Sequence, residues 1–136
     1  MTKTTSLTAM AALFVFQLSG CARLSPQQEA ILQQAANRPI TCQAGKDCEE
    51  KWSQAVYWVK QNSAYKFRTV SDNVIQTMGP LPDDPSPAFT ITKVATGNNS
   101  YALDFDGGCD NMFGCVPSLL ILKASFADYI IGQPKQ

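Results

Sequence analysis

Five cysteines carry most of the chemical potential of this 136-residue chain: Cys21, Cys42, Cys48, Cys109 and Cys115. The last four form two pairs with the same C-x5-C spacing, and Cys21 stands apart. In an oxidising compartment four such thiols form two disulfides. Local pairing, Cys42 with Cys48 and Cys109 with Cys115, closes short rings and needs little chain to be ordered first. Crosslinks between the two loops and a zinc site of four thiolates stand as alternatives, although the C-x2-C spacing of zinc sites is missing. Nor is C-x5-C the C-x-x-C of thiol exchange. The chain has no histidine. That excludes a Ser-His-Asp triad, a Cys-His pair and a His-ligated zinc, and removes the usual general base near neutral pH.

Carboxylates gather in Asp104-Phe105-Asp106-Gly107-Gly108-Cys109-Asp110. Three acidic side chains this close could serve calcium or a paired-carboxylate hydrolase. The EF-hand pattern is not met, because the twelfth position counted from Asp104 is Cys115 rather than Glu. No second acidic cluster accompanies them, and no serine sits in a nucleophile motif. The expectation is a protein that is not an enzyme and holds no metal or cofactor. With 11 basic and 11 acidic residues and no basic patch, nucleic acid is an unsuitable partner.

Cys21 ends a different pattern. Lys3 precedes an apolar run from Leu7 to Phe16, which leads into Leu18-Ser19-Gly20-Cys21. The run is too short to span a bilayer and has the length of an export signal's apolar region. Leu18 to Cys21 resembles the lipobox of bacterial lipoproteins: an aliphatic residue, two small residues, then cysteine. The resemblance covers the first 21 residues and implies processing, not activity. It implies cleavage after Gly20, a diacylglycerol thioether on Cys21, and acylation (palmitate or a similar chain) of the new amino terminus. Two or more acyl chains hold a protein stably to a membrane, where one does so only marginally. An ordinary signal peptide cut after Ala22 is the alternative. Ala22 rather than Asp after the lipidated cysteine favours, by the same resemblance, the outer membrane, with the protein facing the periplasm of the bacterial cell envelope. Assigning Cys21 to lipid leaves an even number of cysteines for disulfides.

The mature chain divides into a tether, 21–40, and a domain, 41–136. Ser25-Pro26 opens a polar, Gln- and Ala-rich helix with little face to bury, expected to space the domain from the lipid. Asp47 with Glu50 reads as a capping box for a helix from Cys48 to about Asn62, with Trp52, Ala55, Val56 and Val59 as its buried stripe. Tyr65–Val70 and Val74–Met78 alternate as strands around Ser71-Asp72-Asn73. Pro80 to Pro87 reads as a stiff proline-rich crossover, since prolines donate nothing to a sheet. Phe89–Ala95 and Ser100–Asp106 form a hairpin about Gly97-Asn98-Asn99, and Gly107-Gly108 turns the chain into the second cysteine loop. Pro117-Ser118 opens a last helix with Leu119, Leu122, Phe126, Tyr129 and Ile130 inward, closed by Gly132. The fold expected is α+β and two-layered: a four-stranded antiparallel sheet covered by two helices, stapled by two disulfides because the core is small.

Four large side chains stand out as candidate partner contacts. Tyr57 and Trp58 project away from the stripe of their helix, and Met112 and Phe113 sit inside the second cysteine loop. The first expectation is packing: Tyr57 and Trp58 against the amino-terminal arm or sheet edge, Phe113 as a plug at the end of the core. The alternative is contact with another envelope protein through aromatic groups or a preorganised apolar loop. The functional expectation is a lipid-anchored accessory or binding protein, with an inhibitor or immunity-type protein acting on an envelope enzyme as the alternative.

Overall fold

The computed structural model describes residues 23–132. The elements are α1 (Pro26–Ala36), β1 (Thr41–Gln43), α2 (Lys46–Asn62), β2 (Phe67–Val70), β3 (Val74–Thr77), β4 (Asp84–Gly97), β5 (Ser100–Asp110) and α3 (Leu119–Ile131). The class is α+β, and the sheet is antiparallel throughout, but it has five strands in the order β1-β5-β4-β3-β2. Cys21 and the Gly20 cleavage position lie outside the described residues, as does Pro134.

Strand β1 is the element absent from the four-strand expectation. It has only three residues, and it pairs Thr41 with Ala102 and Gln43 with Ser100. So short a run has no periodicity of its own; its partner, distant in sequence, defines it. The long hairpin of β4 and β5 is the backbone of the sheet, from Asp84 opposite Asp110 to Gly97 opposite Ser100. Asn98 and Asn99 both have positive φ, at 50° and 57°, in the turn that amides of this kind tolerate.

Both hairpin strands exceed their expected limits. Pro85 and Pro87 lie within β4 rather than in a free crossover. A register shift between Asp84 and Ala88 takes up the irregularity, and β3 pairs with β4 only at Thr90–Thr92, so the prolines lie where β3 asks for no donors. Thr77 takes over just beyond that pairing: its buried hydroxyl accepts from the Phe89 amide at 2.9 Å. Gly107 and Gly108 do not turn the chain; β5 runs through them to Asp110. Gly107 sits where a side chain would have to push its neighbours aside. A Cβ there would lie 3.1 Å from the Ala88 carbonyl oxygen and 3.1 Å from the Leu119 side chain.

Helix α2 begins earlier than the capping box predicts. Gly45, at φ 92°, occupies the cap position without a side-chain bond. Asp47 instead reaches back out of the first turn, accepting from the Gln43 amide at 2.9 Å and pairing with Lys51 at 3.2 Å. At the other two helices the local signals act as read. Ser25 and Gln28 form a reciprocal capping box on α1, and Ser118 accepts from the Ile121 amide on α3.

Helices α2 and α3 share one face of the sheet. Their Ala55, Trp58, Val59, Leu122, Phe126, Ala127 and Ile130 pack with Ile75, Phe89, Ile91 and Leu103 from the strands. Phe89, Phe126, Ile75, Ile91, Ile130 and Val59 are the largest fully buried side chains, each worth about 1.5–3 kcal/mol of transfer free energy. Among the described residues no helix covers the other sheet face: Thr90 and Thr92 are half-buried, and Val94, Asp104 and Asp106 are exposed.

Packing also reaches into the segment read as a tether. Leu32, Ala35 and Ala36 fall at helical spacing, with Leu32 and Ala35 half-buried and Ala36 buried, and α1 packs along α3. Arg38 forms an ion pair with Asp128, and Ile40 is part of the core. The stripe is made mostly of small residues, so close approach rather than bulk provides the contact; this is why its sequence looks so polar.

Candidate interaction site

The four domain cysteines form the two local disulfides, Cys42–Cys48 and Cys109–Cys115, with Cα separations of 4.9 and 5.5 Å. The second closes the loop between β5 and α3. β5 delivers Cys109 to one side of this loop, and α3 begins just after it. Within the ring, Asn111 organises the backbone. Its Oδ1 accepts from the Phe113 amide at 2.9 Å, its carbonyl accepts from the Gly114 amide at 3.0 Å, and Gly114 adopts φ 88°.

A second loop, between β3 and β4, braces the first. Asn111 Nδ2 donates to the Asp83 carbonyl at 3.0 Å, the Val116 amide donates to the Pro85 carbonyl at 2.9 Å, and Pro82 bridges to Asp110. Tyr65 and Asp84 hold this brace from behind. The Tyr65 hydroxyl donates to Asp84 Oδ2 at 2.8 Å and accepts from the Leu81 amide at 3.2 Å; the Ser86 amide donates to Asp84 Oδ1 at 2.8 Å. Donation from Ser86, then from Tyr65, lowers the Asp84 pKa below the ordinary aspartate value against a desolvation cost. For Tyr65, the Leu81 amide lowers the pKa, but desolvation and the Asp84 carboxylate outweigh it and raise the phenol above its ordinary value. At Gly79, φ is 80° and a Cβ would meet the Tyr65 ring at 2.7 Å, so this position requires glycine.

With its backbone fixed in this way, the loop sends its apolar side chains outward. Met112 is 87% exposed, Phe113 88%, and Val116 beside them 70%. The expectation that Phe113 plugs the core is therefore wrong: Phe126, Phe105, Phe89 and Trp58 already fill the interior with aromatic contacts at 5.2–5.9 Å. For Trp58 the expected packing holds, against the core rather than the amino-terminal arm or sheet edge, and its candidacy as a partner contact falls. It is 3% exposed, at the centre of this cluster, edge-on to Phe89 and Phe126. It lies to one side of the predicted stripe, and α3 covers it there; a helix flanked by both a sheet and a second helix buries more than one stripe. Tyr57 is 54% exposed, its ring 6.5 Å from that of Tyr129.

Exposed Leu81, on the bracing loop, was not legible as part of this surface. It lies in the stretch read as a crossover, and no local signal pairs Pro82 with Asp110. Asp104 and Asp106 share one exposed face of β5, and among the described residues no three potential metal-ligating side chains converge. Clefts elsewhere among the described residues hold scattered ionisable side chains. One of about 310 Å³ lies between the 36–40 segment and β5, beside Arg38 and Lys123. Another, of about 540 Å³, lies where Lys93 sits 5.0 Å from the Trp52 ring and 5.8 Å from that of Tyr101. Among the described residues no helix is long and apolar enough to cross a membrane.

Comparison with protein-family models, with curated proteins and with solved structures returned no match for this chain.

Proposed function

We propose that this is a lipoprotein of the bacterial envelope, anchored through acylated Cys21 to the periplasmic face of the outer membrane, and that it acts by contact rather than catalysis. The contact surface is the Cys109–Cys115 loop. One observation carries this reading: Met112 and Phe113 are almost wholly exposed on a loop that a disulfide and a second loop hold in place. Soluble surfaces rarely spend a preorganised loop on two large apolar side chains, and preorganisation lowers the entropic cost of binding.

A photo-crosslinking residue at position 113, activated in intact cells, is expected to yield defined adducts, to protein or to lipid, while the same residue at Val94 on the open sheet face yields none. Equal adducts from both positions would remove the assignment. The anchor is checked separately, by mass spectrometry of the mature amino-terminal peptide. An acylated Cys21 supports it; a free Arg23 terminus means cleavage after Ala22 and no lipid. A second reading, an inhibitor or immunity-type protein, draws on the same protruding aromatic. It requires that Phe113→Ala abolish inhibition of an envelope enzyme.

A further inference from the structure

We infer that the surface met by the Phe113 loop is the lipid bilayer itself, the one to which Cys21 ties the chain. This rests on the lipid-anchor reading above and adds the orientation of the domain on the membrane.

The direction of α1 is the first argument. Gln33 and Ala36 line one cleft with Phe105, Gly107, Leu119 and Leu120, whereas Ala36 to Ile40 line the next with Ala102 to Phe105, Phe126 and Ala127. Further on, Arg38 pairs with Asp128 and the Ile40 carbonyl accepts from the Leu103 amide at 2.8 Å. From Gln33 to Gln43 the chain therefore runs antiparallel to β5 and alongside α3. Extended backwards, the seven residues from Gln33 to Pro26 cover about 10 Å of helix. In the same direction β5 continues from Gly107 to Asp110, again about 10 Å. The start of α1 and the base of the disulfide loop are thus level, at the same end of the domain.

The second argument is the short remaining chain. Five residue steps separate Pro26 from Cys21, so the anchor lies at most about 17 Å from the helix start. A domain held this closely by that end presents it to the membrane.

The third argument is the character of that end. Leu24, Leu81, Met112, Phe113 and Val116 are all exposed there. The Gly97–Ser100 hairpin and the Gln43–Asp47 turn at the opposite end carry no large apolar residue, and the exposed apolar residues toward that end, Val94 and Ile131, stand singly. The two tip loops, 78–83 and 111–118, contain neither Lys nor Arg, while Asp83 and Asp110 flank the apolar side chains. Arg23 and Lys66 are the exposed cations near this end, outside the two loops; what the loops themselves bring is apolar insertion, as for other interfacial segments in which aromatic and aliphatic groups enter the headgroup boundary.

The test uses the full-length lipidated protein in phosphatidylcholine vesicles, with or without bromine atoms on the acyl chains. Phe113→Trp adds a reporter to the two native tryptophans, and Met112→Trp is an independent second one. In brominated vesicles each variant is expected to lose about a third of its emission, one tryptophan in three, while the parent, whose Trp58 is buried, loses little. Mass spectrometry of the Cys21 peptide from the same sample separates the two readings. An unacylated peptide overturns the anchor. An acylated peptide with equal emission in both vesicle types overturns the membrane-facing tip. Unquenched emission together with a protein adduct at position 113 in cells would place a protein there instead.

Discussion

The two disulfide loops have the same spacing and opposite fates. Cys42 and Cys48 are 3% and 5% exposed and tie β1 to the first turn of α2. Hydrogen bonds tie the surrounding chain down: the Ala44 amide donates to the Asn99 carbonyl, the Gln43 amide donates to Asp47, and Lys51 Nζ donates to the Thr41 carbonyl at 2.6 Å. Cys109 and Cys115 are half-buried, and the ring they close carries its two largest side chains into solvent. Chain-entropy arguments assign both rings a similar benefit, on the order of 2 kcal/mol, since their lengths are equal. What differs is what the ring holds. The first serves the core; the second serves a surface.

The sharpest way to break this comparison is to exchange an aromatic from each side of it. Trp58→Ala, within the core, is expected to cost about 3–5 kcal/mol in urea unfolding; a loss below 1 kcal/mol would mean that α3 does not cover it. Next, replacing Cys42 and Cys48 together by Ala is expected to remove about 2–4 kcal/mol, because it frees an edge strand of only three residues along with the crosslink. Replacing Cys109 and Cys115 together by Ser is expected to cost less in global unfolding, about 1–2 kcal/mol. Its main effect should be rapid proteolysis after Phe113, with the parent expected to be cut there more slowly.

Acid acts on the brace rather than on the core. The folded-state pKa of Asp84 is depressed, so its contribution is complete above the ordinary aspartate value, near 4, and is lost as pH falls through the lower folded value. Below about pH 4 the Leu81 and Ser86 amide resonances are expected to shift, while those of Phe89 and Val59 hold still. The Tyr65 contribution has the opposite sign: it is present below the ordinary tyrosine value and is lost as pH rises through the raised one. The smallest effect belongs to Phe113→Ala, expected to change unfolding free energy by no more than about 0.5 kcal/mol, as for other exposed positions. A loss of 2 kcal/mol would return Phe113 to the core.

Much of the fold was legible because it depends on neighbours in sequence. Ser25-Pro26 and Ser118 start helices through bonds that span three residues, Gly97-Asn98-Asn99 bends a hairpin, and each cysteine paired with the one six positions away. Alternation placed Leu103 and Phe105 on the inner face of β5. The illegible parts all depend on a distant partner. Nothing within Thr41-Cys42-Gln43 announces a strand until β5 is beside it. Gly107-Gly108 looks like a turn until Leu119 and Ala88 occupy the space where a side chain would be. Pro85 and Pro87 look like loop residues until β3 is seen to stop short of them.

The candidate site shows the same division. Its local chemistry, a cysteine ring enclosing Met112 and Phe113, could be read directly, whereas its exposure could not. A large aromatic is equally suited to a core or to a contact, and only the space left by other side chains decides between them. Here Trp58, Phe89, Phe105 and Phe126 had filled that space. By itself the sequence determined the class of fold, the helix starts, the hairpin and the pairs of cysteines, because short-range bonding and periodicity act within a few residues. The tertiary structure alone decided that Trp58 is inside and Phe113 outside, because a close-packed interior holds a fixed volume and its occupants come from every part of the chain.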